Sequence, residues 1–390
     1  MIPLMKNAFY KEKQTTRALA EFIAGSPKLS MGEQCEAFEI AFAEFQNCSD
    51  CVLYNSGGSA NLALIQAIMN LGYLQPGDAV GFSALTWATN VMPLIQLGLI
   101  AVPLDVAVDT LNVMQKDIVG RQEKIPLKAV FLTNVLGFSG DLPAIKSYCD
   151  EQNILVLEDN CEALGTVLPE GRTGNFGSAS SFSFFVAHHM SSIEGGALCT
   201  DNGDLAAMLR MVRANGWDRN LTEEQQKRLR KSYKITDEFR DKYTFYDLGY
   251  NLRPTEITGF LGLNQLAILP ENIDIRGKLY QELESAMLLN ENFMRIDHSH
   301  IKTISPFSFP VICKDQELAR QYMDVFKAAE VEIRPIISGN IQNQPFYKKH
   351  VKETYDTPGT DFIDRNGFYF GIYPELSEED LATIKECFLK

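Results

Sequence analysis

The sequence lacks the features of a membrane or secreted protein, and it is poor in positive charge. No run of apolar residues reaches the roughly 18–20 that a membrane helix requires, and Lys6 interrupts the first residues before any stretch of signal-peptide length. Lysine and arginine number 36 against 50 aspartate and glutamate residues, so the net charge is −14. We predict a cytoplasmic protein that binds neither membranes nor nucleic acid in general, although one local pocket can still bind a small anion.

The spacings of known metal sites are also missing. Among eight cysteines, Cys48 and Cys51 form a C-x-x-C motif, but no second pair stands at zinc-finger spacing. The metalloprotease motif H-E-x-x-H is absent, and the neighbouring His188 and His189 have a spacing that rarely chelates one ion. We predict no metal site and interpret the cysteines as buried free thiols. A metal or redox role for the C-x-x-C motif stays the less favoured alternative.

The most informative absence is that of lysine between Lys146 and Lys227. Within this interval lies the stretch SFSFFVAHHMSSIEGG, residues 181–196, which carries His188 and His189 between an apolar segment and a glycine pair. The meaning of these histidines depends on the fold and on the motifs around them.

Seven short apolar segments in the first 200 residues predict β-strands. They are residues 51–56, 78–84, 100–106, 129–135, 154–159, 181–185 and 196–200. Their nearly continuous apolar character is typical of strands that are covered on both faces. Segments 60–72, 88–98 and 141–153 lie between several of them and predict helices. This alternation predicts an α/β fold with a mainly parallel central sheet and helices on both of its faces.

The second part of the chain has a different pattern. Residues 221–243 are highly charged and predict an exposed, helix-rich insertion. Two helices follow, one opening near Pro254 and one spanning about 275–289, and then a strand, a helix, a strand and a closing helix. We therefore predict a large α/β domain over residues 1–255, followed by linking helices and a small C-terminal α+β domain over residues 256–390.

Three predicted strands end in residues that suit one cofactor. The first strand leads into Gly57 and Gly58 at a helix start, which is typical of a phosphate site. Trp87 follows the second strand and can stack on a flat ring, and Asp159 ends the fifth, where it can pair with a protonated ring nitrogen. Singly, these residues are equally compatible with a tight turn, a packed tryptophan and a helix cap. Together they indicate pyridoxal phosphate.

Enzymes that use pyridoxal phosphate normally bind it through a lysine Schiff base. The place where this lysine is expected is the stretch SFSFFVAHHM, which has none. Histidine cannot form that bond, but it can move protons near neutral pH because its unperturbed pKa is about 6.5. The sequence therefore predicts a cofactor held without a covalent bond, which suits pyridoxamine phosphate.

With these motifs, the chain resembles the DegT/DnrJ/EryC1/StrS sugar aminotransferases, which share the type I fold of aspartate aminotransferase. The resemblance runs from about residue 10 to the C-terminus. It rests on NSGGSANLAL, LTWATN, LEDNCEALG, SFSFFVAHHMSSIEGGALCT, RANGWDRN, GYNLRPTEITG and YPELSEEDL. The family motif S-F-x-x-x-K, read from Ser183, puts His188 at the lysine position. In this respect the chain is similar to a histidine-bearing subgroup, the GDP-4-keto-6-deoxy-D-mannose 3-dehydratases.

This resemblance implies a lyase that depends on pyridoxamine phosphate. Its expected substrate is a nucleotide-linked 4-keto-6-deoxyhexose, GDP-4-keto-6-deoxy-D-mannose above all, from which it removes the C3 hydroxyl. L-glutamate would regenerate the amine form of the cofactor, and the product would serve deoxysugar and O-antigen synthesis. Another histidine-bearing relative uses a [2Fe–2S] cluster, but this chain has no cysteine between Cys199 and Cys313, so no iron–sulfur cluster is expected.

The resemblance also assigns residues. His188 would be the catalytic proton carrier. The expected cofactor-binding residues are Gly57, Gly58, Ser59, Trp87, Asp159, Glu162, Ser183 and Asn251. Asn251 would reach the phosphate from a neighbouring subunit, which implies a homodimer with shared active sites. The expected substrate-binding residues are Asn215, Arg219, Arg253 and Arg334; at position 215 the subgroup has histidine, and asparagine cannot carry a proton.

Two other functions stay open at this point. One is a sugar-nucleotide aminotransferase that works without the lysine and keeps the C3 hydroxyl. The other is a non-catalytic protein that binds a sugar nucleotide. The presence of Asp159, Ser183 and Asn251 argues against the second, because an inactive site has no need of cofactor ligands.

Overall fold

A seven-stranded sheet and a separate three-stranded sheet form the framework of the molecule, which we describe over residues 1–390 from a computed structural model. The strands of the large sheet are β1 Asp50–Tyr54, β2 Ala79–Ser83, β3 Ile100–Leu104, β4 Leu127–Thr133, β5 Leu155–Asp159, β8 Ala179–Ser183 and β9 Gly196–Thr200. Two short strands, β6 Val167–Leu168 and β7 Gly171–Arg172, pair with each other. The small sheet contains β10 Ser308–Ile312, β11 Ile333–Pro335 and β12 Gly367–Gly371.

Fourteen α-helices surround these sheets. They are α1 Glu12–Gly25, α2 Glu33–Gln46, α3 Gly57–Asn70, α4 Met92–Gln96, α5 Gln115–Gln122, α6 Leu142–Gln152, α7 Gly203–Val212, α8 Glu223–Ser232, α9 Glu256–Leu266, α10 Leu269–Met287, α11 Gln316–Ala328, α12 Pro345–His350, α13 Pro358–Asn366 and α14 Glu378–Phe388. None of them combines the length and the apolar character that crossing a membrane would require.

The large sheet is parallel except for one strand. Its order is β1-β9-β8-β5-β4-β2-β3, and β9 runs antiparallel to both of its neighbours. The buried residues of the strands are mostly apolar on both faces, and helices cover both sides. The carboxyl ends of the parallel strands β1, β2, β4, β5 and β8 therefore meet along one edge. The predicted α/β class with a mainly parallel sheet is confirmed.

The sequence patterns located most elements but not all. All seven predicted strands are present, and the segment 88–98 forms a 3₁₀ turn followed by the short helix α4 rather than one continuous helix, because Pro93 sits near its start. The strand β12 was not predicted, although it is the middle strand of the small sheet. Its sequence, GFYFG, is too short and too uniformly aromatic to show a period.

The predicted domain boundary between residues 255 and 256 stays a proposal. The three-stranded sheet lies wholly after that boundary, within residues 308–371. The first residues also touch this part of the molecule, since the Ile2 N–H donates to the Glu330 carbonyl at 2.7 Å and Ile2 forms a parallel bridge with Val331. The proposed large domain thus extends one short segment onto the small one.

Glu256, the first residue of α9, fixes the start of α2. Its carboxylate accepts hydrogen bonds from the N–H groups of Gly32, Gln34 and Cys35 at 2.8, 3.0 and 3.1 Å. N–H groups at a helix start have no intrahelical acceptor, and the helix dipole favours a negative charge there. Because Glu256 is only 6% exposed, these charge-assisted bonds are shielded from water. Glu256 thereby joins two helices that are distant in sequence.

We expect Glu256→Ala to lower the free energy of unfolding by about 2–4 kcal/mol, because three N–H groups lose their acceptor. Urea denaturation followed by circular dichroism measures this change. Glu223→Ala is the matched control, since Glu223 also lies in the first turn of a helix but is exposed and paired only with Lys227. The control is expected to change stability by less than about 0.5 kcal/mol. Equal losses in the two variants would contradict the capping role of Glu256.

Candidate active site

A cleft of about 420 Å³ opens at the carboxyl edge of the large sheet. Residues at or just beyond the ends of five parallel strands line it, as expected for an open α/β sheet. Seven residues named from the sequence share this cleft: Gly57, Gly58, Trp87, Asp159, Glu162, Ser183 and His188. The structure therefore brings together segments that are up to 131 positions apart, and their roles remain predictions.

The turn after β1 forms a cradle of backbone N–H groups. Gly57 and Gly58 are the first two residues of α3, so their N–H groups have no intrahelical acceptor. Ser56 caps the helix by accepting a hydrogen bond from the Ser59 N–H at 3.0 Å. A Cβ atom at Gly57 would lie 2.7 Å from Ser183 Cβ, so glycine is required for β8 to approach this closely. The open N–H groups and the helix dipole suit a phosphate.

The end of β5 carries two carboxylates that point in opposite directions. Glu158 is fully buried and accepts hydrogen bonds from the N–H groups of Gly174, Phe176 and Gly177, each at 2.8 Å. Asp159, the next residue, lines the cleft instead, because successive side chains of a strand alternate between faces. Glu158 thus anchors a loop, while Asp159 is free to meet a ligand.

Asp159 is a buried carboxylate that has no cationic partner in the protein. It is 4% exposed. Its two oxygens accept hydrogen bonds from Asn61 Nδ2 at 3.0 Å and from the Cys161 N–H at 2.9 Å. A buried negative charge is costly unless a positive charge or further donors meet it. The carboxylate is therefore suited to a protonated ring nitrogen of a ligand in the cleft.

Trp87 stands at the mouth of the cleft with 58% of its surface exposed. A tryptophan that only filled the core would be largely buried. Thr89, two residues further along, lines the same cleft. The exposed indole offers a flat surface on which an aromatic ring can stack.

His188 lies in a half-buried position where β8 ends and the chain turns. Its ring contacts the ring of Phe307 at a centroid distance of 5.2 Å and that of Phe185 at 6.3 Å. Burial lowers the pKa of His188 to about 4, and the nearby Asp159 carboxylate opposes that change. Its Nδ1 is buried and has no hydrogen-bond partner within the protein. The resting side chain is a neutral imidazole, which is the form that can accept a proton.

The neighbouring His189 does not line the cleft. It is 2% exposed, and its Nε2 lies 3.0 Å from the carbonyl oxygen of Ser305. A carbonyl only accepts, so Nε2 carries the proton and the ring is the neutral tautomer with a free Nδ1. Burial lowers the pKa of His189 as well. His189 packs and forms its hydrogen bond behind the cleft.

Glu162 places a second carboxyl group beside the cleft. One oxygen accepts a hydrogen bond from the Leu136 N–H at 2.9 Å. Burial, with a smaller contribution from the Asp159 charge, raises the pKa of Glu162 to about 8. At neutral pH most of this group is protonated, so it can donate a hydrogen bond to a ligand oxygen.

Six predicted residues lie outside the lining of the cleft. Ser59 is in the first turn of α3, where its Oγ receives a hydrogen bond from Ser56 Oγ at 3.0 Å. The other five are exposed on the surface: Asn215, Arg219, Arg253, Asn251 and Arg334. The segments of Asn215 and Asn251 run side by side, linked by a bridge between residues 214 and 251. A single chain thus does not bring these residues into the cleft.

Several cleft residues were not found from the sequence. Phe307, Ile337 and Tyr369 come from the C-terminal part and face the cleft across from the sheet. No local pattern marks them, since their position depends on how the small sheet packs. Asn61 was within reach of prediction, because it stands four residues after Gly57 and so faces the end of β5 from the first turns of α3.

The residues present fit a pyridoxal-type cofactor. Such a molecule needs donors for a phosphate, a carboxylate for its ring nitrogen and a surface for its ring. The glycine cradle, the unpaired Asp159 and the exposed Trp87 supply these three in one cleft. No lysine lines the cleft, so the protein offers no amine for a covalent bond to the cofactor.

Comparison with known proteins agrees with this site. A GDP-4-keto-6-deoxy-D-mannose 3-dehydratase from Yersinia pseudotuberculosis is 33% identical over 369 residues, which cover 92% of this chain and 91% of the relative. A solved structure of GDP-4-keto-6-deoxymannose-3-dehydratase with a trapped PLP–glutamate geminal diamine superposes with a TM-score of 0.89 at 27% identity, covering 100% of both chains. A variant of that enzyme with bound GDP-perosamine superposes at 0.88 and 26% identity, also over 100% of both chains.

The family assignment rests on almost the whole chain. The profile of the DegT/DnrJ/EryC1/StrS aminotransferase family matches residues 10–389. The resemblance drawn from the sequence motifs is thereby confirmed, and the solved relatives have the predicted type of fold. The chain belongs to the DegT/DnrJ/EryC1/StrS aminotransferase family.

Proposed function

We propose that this protein is a 3-dehydratase that depends on pyridoxamine phosphate. Its substrate is a nucleotide-linked 4-keto-6-deoxyhexose, with GDP-4-keto-6-deoxy-D-mannose as the first candidate, and its product is the 4-keto-3,6-dideoxy sugar. L-glutamate returns the cofactor to its amine form. The proposed compartment is the cytoplasm, and the proposed pathway is deoxysugar synthesis for the O-antigen of lipopolysaccharide.

One observation carries this proposal. A neutral imidazole, His188, lines the pyridoxal-type cleft at the position where the family motif has lysine. An aminotransferase needs the lysine both as a covalent anchor and as a base. A site that keeps the phosphate cradle and the ring-nitrogen carboxylate, and replaces the amine with an imidazole, is suited to proton transfer without covalent attachment.

The cofactor, when bound, supplies an amine for the sugar ketone and an aromatic ring that accepts electrons. The protein supplies the position and the charge. The N–H groups of Gly57 and Gly58 would bind the phosphate, and Trp87 would cover one face of the ring. Asp159 would hold a proton on the ring nitrogen, because a buried carboxylate stabilises the adjacent positive charge.

His188 would move one proton within the cleft. Since Nδ1 is buried, Nε2 is the ring nitrogen available for exchange. The neutral ring accepts a proton from carbon, and the resulting imidazolium can give it to the departing C3 oxygen. Its low pKa makes the imidazolium a strong acid, which favours the second transfer. His188 would thus act first as a base and then as an acid.

The nucleotide part of the substrate is expected at the exposed arginines. Arg219, whose guanidinium stacks on Trp217 at 5.3 Å, and Arg253 are exposed cations in a chain of net charge −14. Arg334 lies opposite Tyr369 in the small sheet, and Tyr369 lines the cleft. Arginine binds phosphate and carboxylate in a bidentate manner, so these residues suit a diphosphate or the glutamate carboxylates.

We also propose that the active protein is a homodimer in which each site uses residues of both subunits. Asn251 is exposed and lies outside the cleft of its own chain. Large apolar side chains surround this face without cover, since Phe245 and Leu248 are 57% and 70% exposed. A second subunit packed against this face would bury both side chains. It could also receive Asn251 of the first subunit at its phosphate cradle.

The proposed reaction is tested by product analysis. The purified protein is incubated with pyridoxamine phosphate, L-glutamate and GDP-4-keto-6-deoxy-D-mannose, and the nucleotide sugars are separated by chromatography and mass spectrometry. We expect a product that has lost the C3 oxygen and keeps the ketone. A 4-amino sugar with its C3 hydroxyl would instead assign an aminotransferase, and no conversion of any 4-keto sugar nucleotide would indicate a binding protein.

We expect His188→Lys to abolish dehydration and to attach pyridoxal phosphate covalently, because the new amine lies where the family motif has its lysine. Borohydride reduction followed by protein mass spectrometry detects the attachment, and product analysis detects the lost reaction. His350→Lys is the matched control, since His350 is exposed and does not line the cleft. A His188→Lys protein that still forms the 3-deoxy product would refute the role of His188.

We expect Asp159→Asn to reduce kcat by on the order of 100-fold or more, because an amide cannot stabilise a proton on the ring nitrogen. Steady-state kinetics with saturating cofactor measure the loss. Asp150→Asn, an exposed change in α6, serves as the control and should leave kcat within about twofold. Activity of Asp159→Asn near that of the parent would remove Asp159 from the site.

Mixed dimers test whether Asn251 acts across the subunit interface. His188→Asn and Asn251→Ala chains carry different affinity tags, are co-expressed, and the heterodimer is isolated. If Asn251 acts in trans, one of the two sites contains both parental residues, so about half of the parental activity returns. If it acts within its own chain, the heterodimer stays as inactive as the two variant homodimers.

A further inference from the structure

Arg276 is a buried cation that forms no salt bridge. It lies on α10 and is 6% exposed. Its guanidinium donates to the carbonyl oxygens of Ile372 at 2.7 Å, Phe307 at 3.0 Å and Pro306 at 3.3 Å, and to Asn272 Oδ1 at 2.9 Å. All four acceptors are neutral. Glu375 is the only acid that acts on it, and it does so without direct contact.

Burial of a guanidinium without an ionic partner costs free energy. Removing a full charge from water is unfavourable, and hydrogen bonds to neutral acceptors offset this cost less well than an opposite charge does. Burial lowers the pKa of Arg276 to about 10, which still leaves it charged at neutral pH. By contrast Arg213, the other deeply buried arginine, is paired with Glu39. The absence of an ionic partner marks Arg276 as a candidate for a functional role.

The contacts of Arg276 lead to the histidine loop by two routes. Through Asn272, whose Nδ2 donates to the His189 carbonyl oxygen at 2.6 Å, it holds the backbone next to His188. Through the Phe307 carbonyl it holds the residue whose ring contacts His188 at 5.2 Å and His189 at 6.3 Å. One route reaches the backbone next to His188 and the other reaches its ring, so together they restrict both.

A small polar cavity lies behind this loop. Its volume is about 30 Å³, which is room for one or two water molecules. Arg276, His188 and His189 all line it, and the Nδ1 atoms of both histidines are buried without a protein partner. His188 therefore stands in the wall between the open cleft and this rear cavity.

We propose that Arg276 is a positioning residue for His188: it clamps the loop through Asn272 and Phe307, and it places a cation on the rear side of the imidazole. This inference rests on the proposed function, in which His188 is the base. It adds a residue that no sequence motif indicated and that does not line the cleft.

The charges around His188 act in opposite directions. On the cleft side the titratable groups are Asp159, Cys161, Glu162, Glu194 and Tyr369. On the rear side they are Lys6, Tyr10, His189, Arg276, Tyr373 and Glu375. Asp159 favours the imidazolium and Arg276 disfavours it, while burial is the largest influence and also favours the neutral ring. Loss of Arg276 therefore removes an opposing charge and should raise the pKa of His188.

The test measures protonation of His188 directly. Diethyl pyrocarbonate reacts with neutral imidazole, so the pH dependence of its reaction reports the pKa of each histidine. The protein is treated over pH 3–8 and digested, and the modified peptides are quantified by mass spectrometry, which separates His188 from the other histidines. The parent is compared with Arg276→Gln, which removes the charge, and with Arg276→Lys, which keeps the charge and loses the planar fork.

We expect the midpoint for His188 to rise by roughly one pH unit in Arg276→Gln and to stay within about 0.3 in Arg276→Lys. Both variants should lose kcat at least tenfold with little change in KM, because both weaken the clamp. Arg213→Gln controls for the loss of a buried arginine and should leave the His188 midpoint unchanged. An unchanged midpoint in folded Arg276→Gln, or an unchanged kcat in Arg276→Lys, would overturn the proposal.

Asn272→Ala covers the case in which Arg276→Gln does not fold. It leaves the arginine in place and cuts the bond to the His189 carbonyl. A looser loop should raise the rate of His188 modification at pH 7 at least threefold, and an unchanged rate would overturn the clamp. The modification readout needs no sugar substrate. A shifted midpoint in a protein that fails to remove the C3 hydroxyl would therefore support the role of Arg276 and reject the proposed reaction.

Discussion

The alternation of side chains at the end of β5 is the constraint on which the site depends. Glu158 and Asp159 are neighbours, so one must point away from the cleft if the other points into it. Glu158 accepts hydrogen bonds from three backbone N–H groups of the loop after β7. Its side chain cannot rotate towards the cleft without leaving these groups unpaired. Its anchoring thereby fixes the direction of Asp159, which is the residue proposed to bind a ring nitrogen and is one of the charges that act on His188.

The replacement of lysine by histidine changes the protonation state that the site must maintain. A lysine amine must lose its proton to act as a nucleophile, whereas a buried imidazole is neutral at rest. The protein tunes that imidazole between Asp159 on the cleft side and Arg276 on the rear side. Burial is the largest influence on the pKa of the imidazole and favours the neutral ring. The same fold can therefore serve amination or elimination, depending on one residue and its surroundings.

Much of this could be read from the sequence, for reasons that differ between residues. The strands were predictable because a strand covered on both faces is continuously apolar, and Trp87 and Asp159 because each lies at or shortly after the end of such a strand. Arg276 and Phe307 were not predictable, since their role arises from contacts between segments at least 30 positions apart. β12 was missed because five residues of GFYFG carry no period. Local sequence patterns do not predict contacts that depend on long-range packing.

The exposed position of Trp87 has a practical consequence. The chain has only two tryptophans, and the other, Trp217, stacks on Tyr243 at 5.4 Å in a segment that does not line the cleft. Indole emission from Trp87 overlaps the absorption of a pyridoxal ring stacked on it, so arrival of such a ring would dim that emission, while Trp217 gives a steady background. The molecule thus carries an intrinsic fluorescent reporter at the entrance of its own cleft.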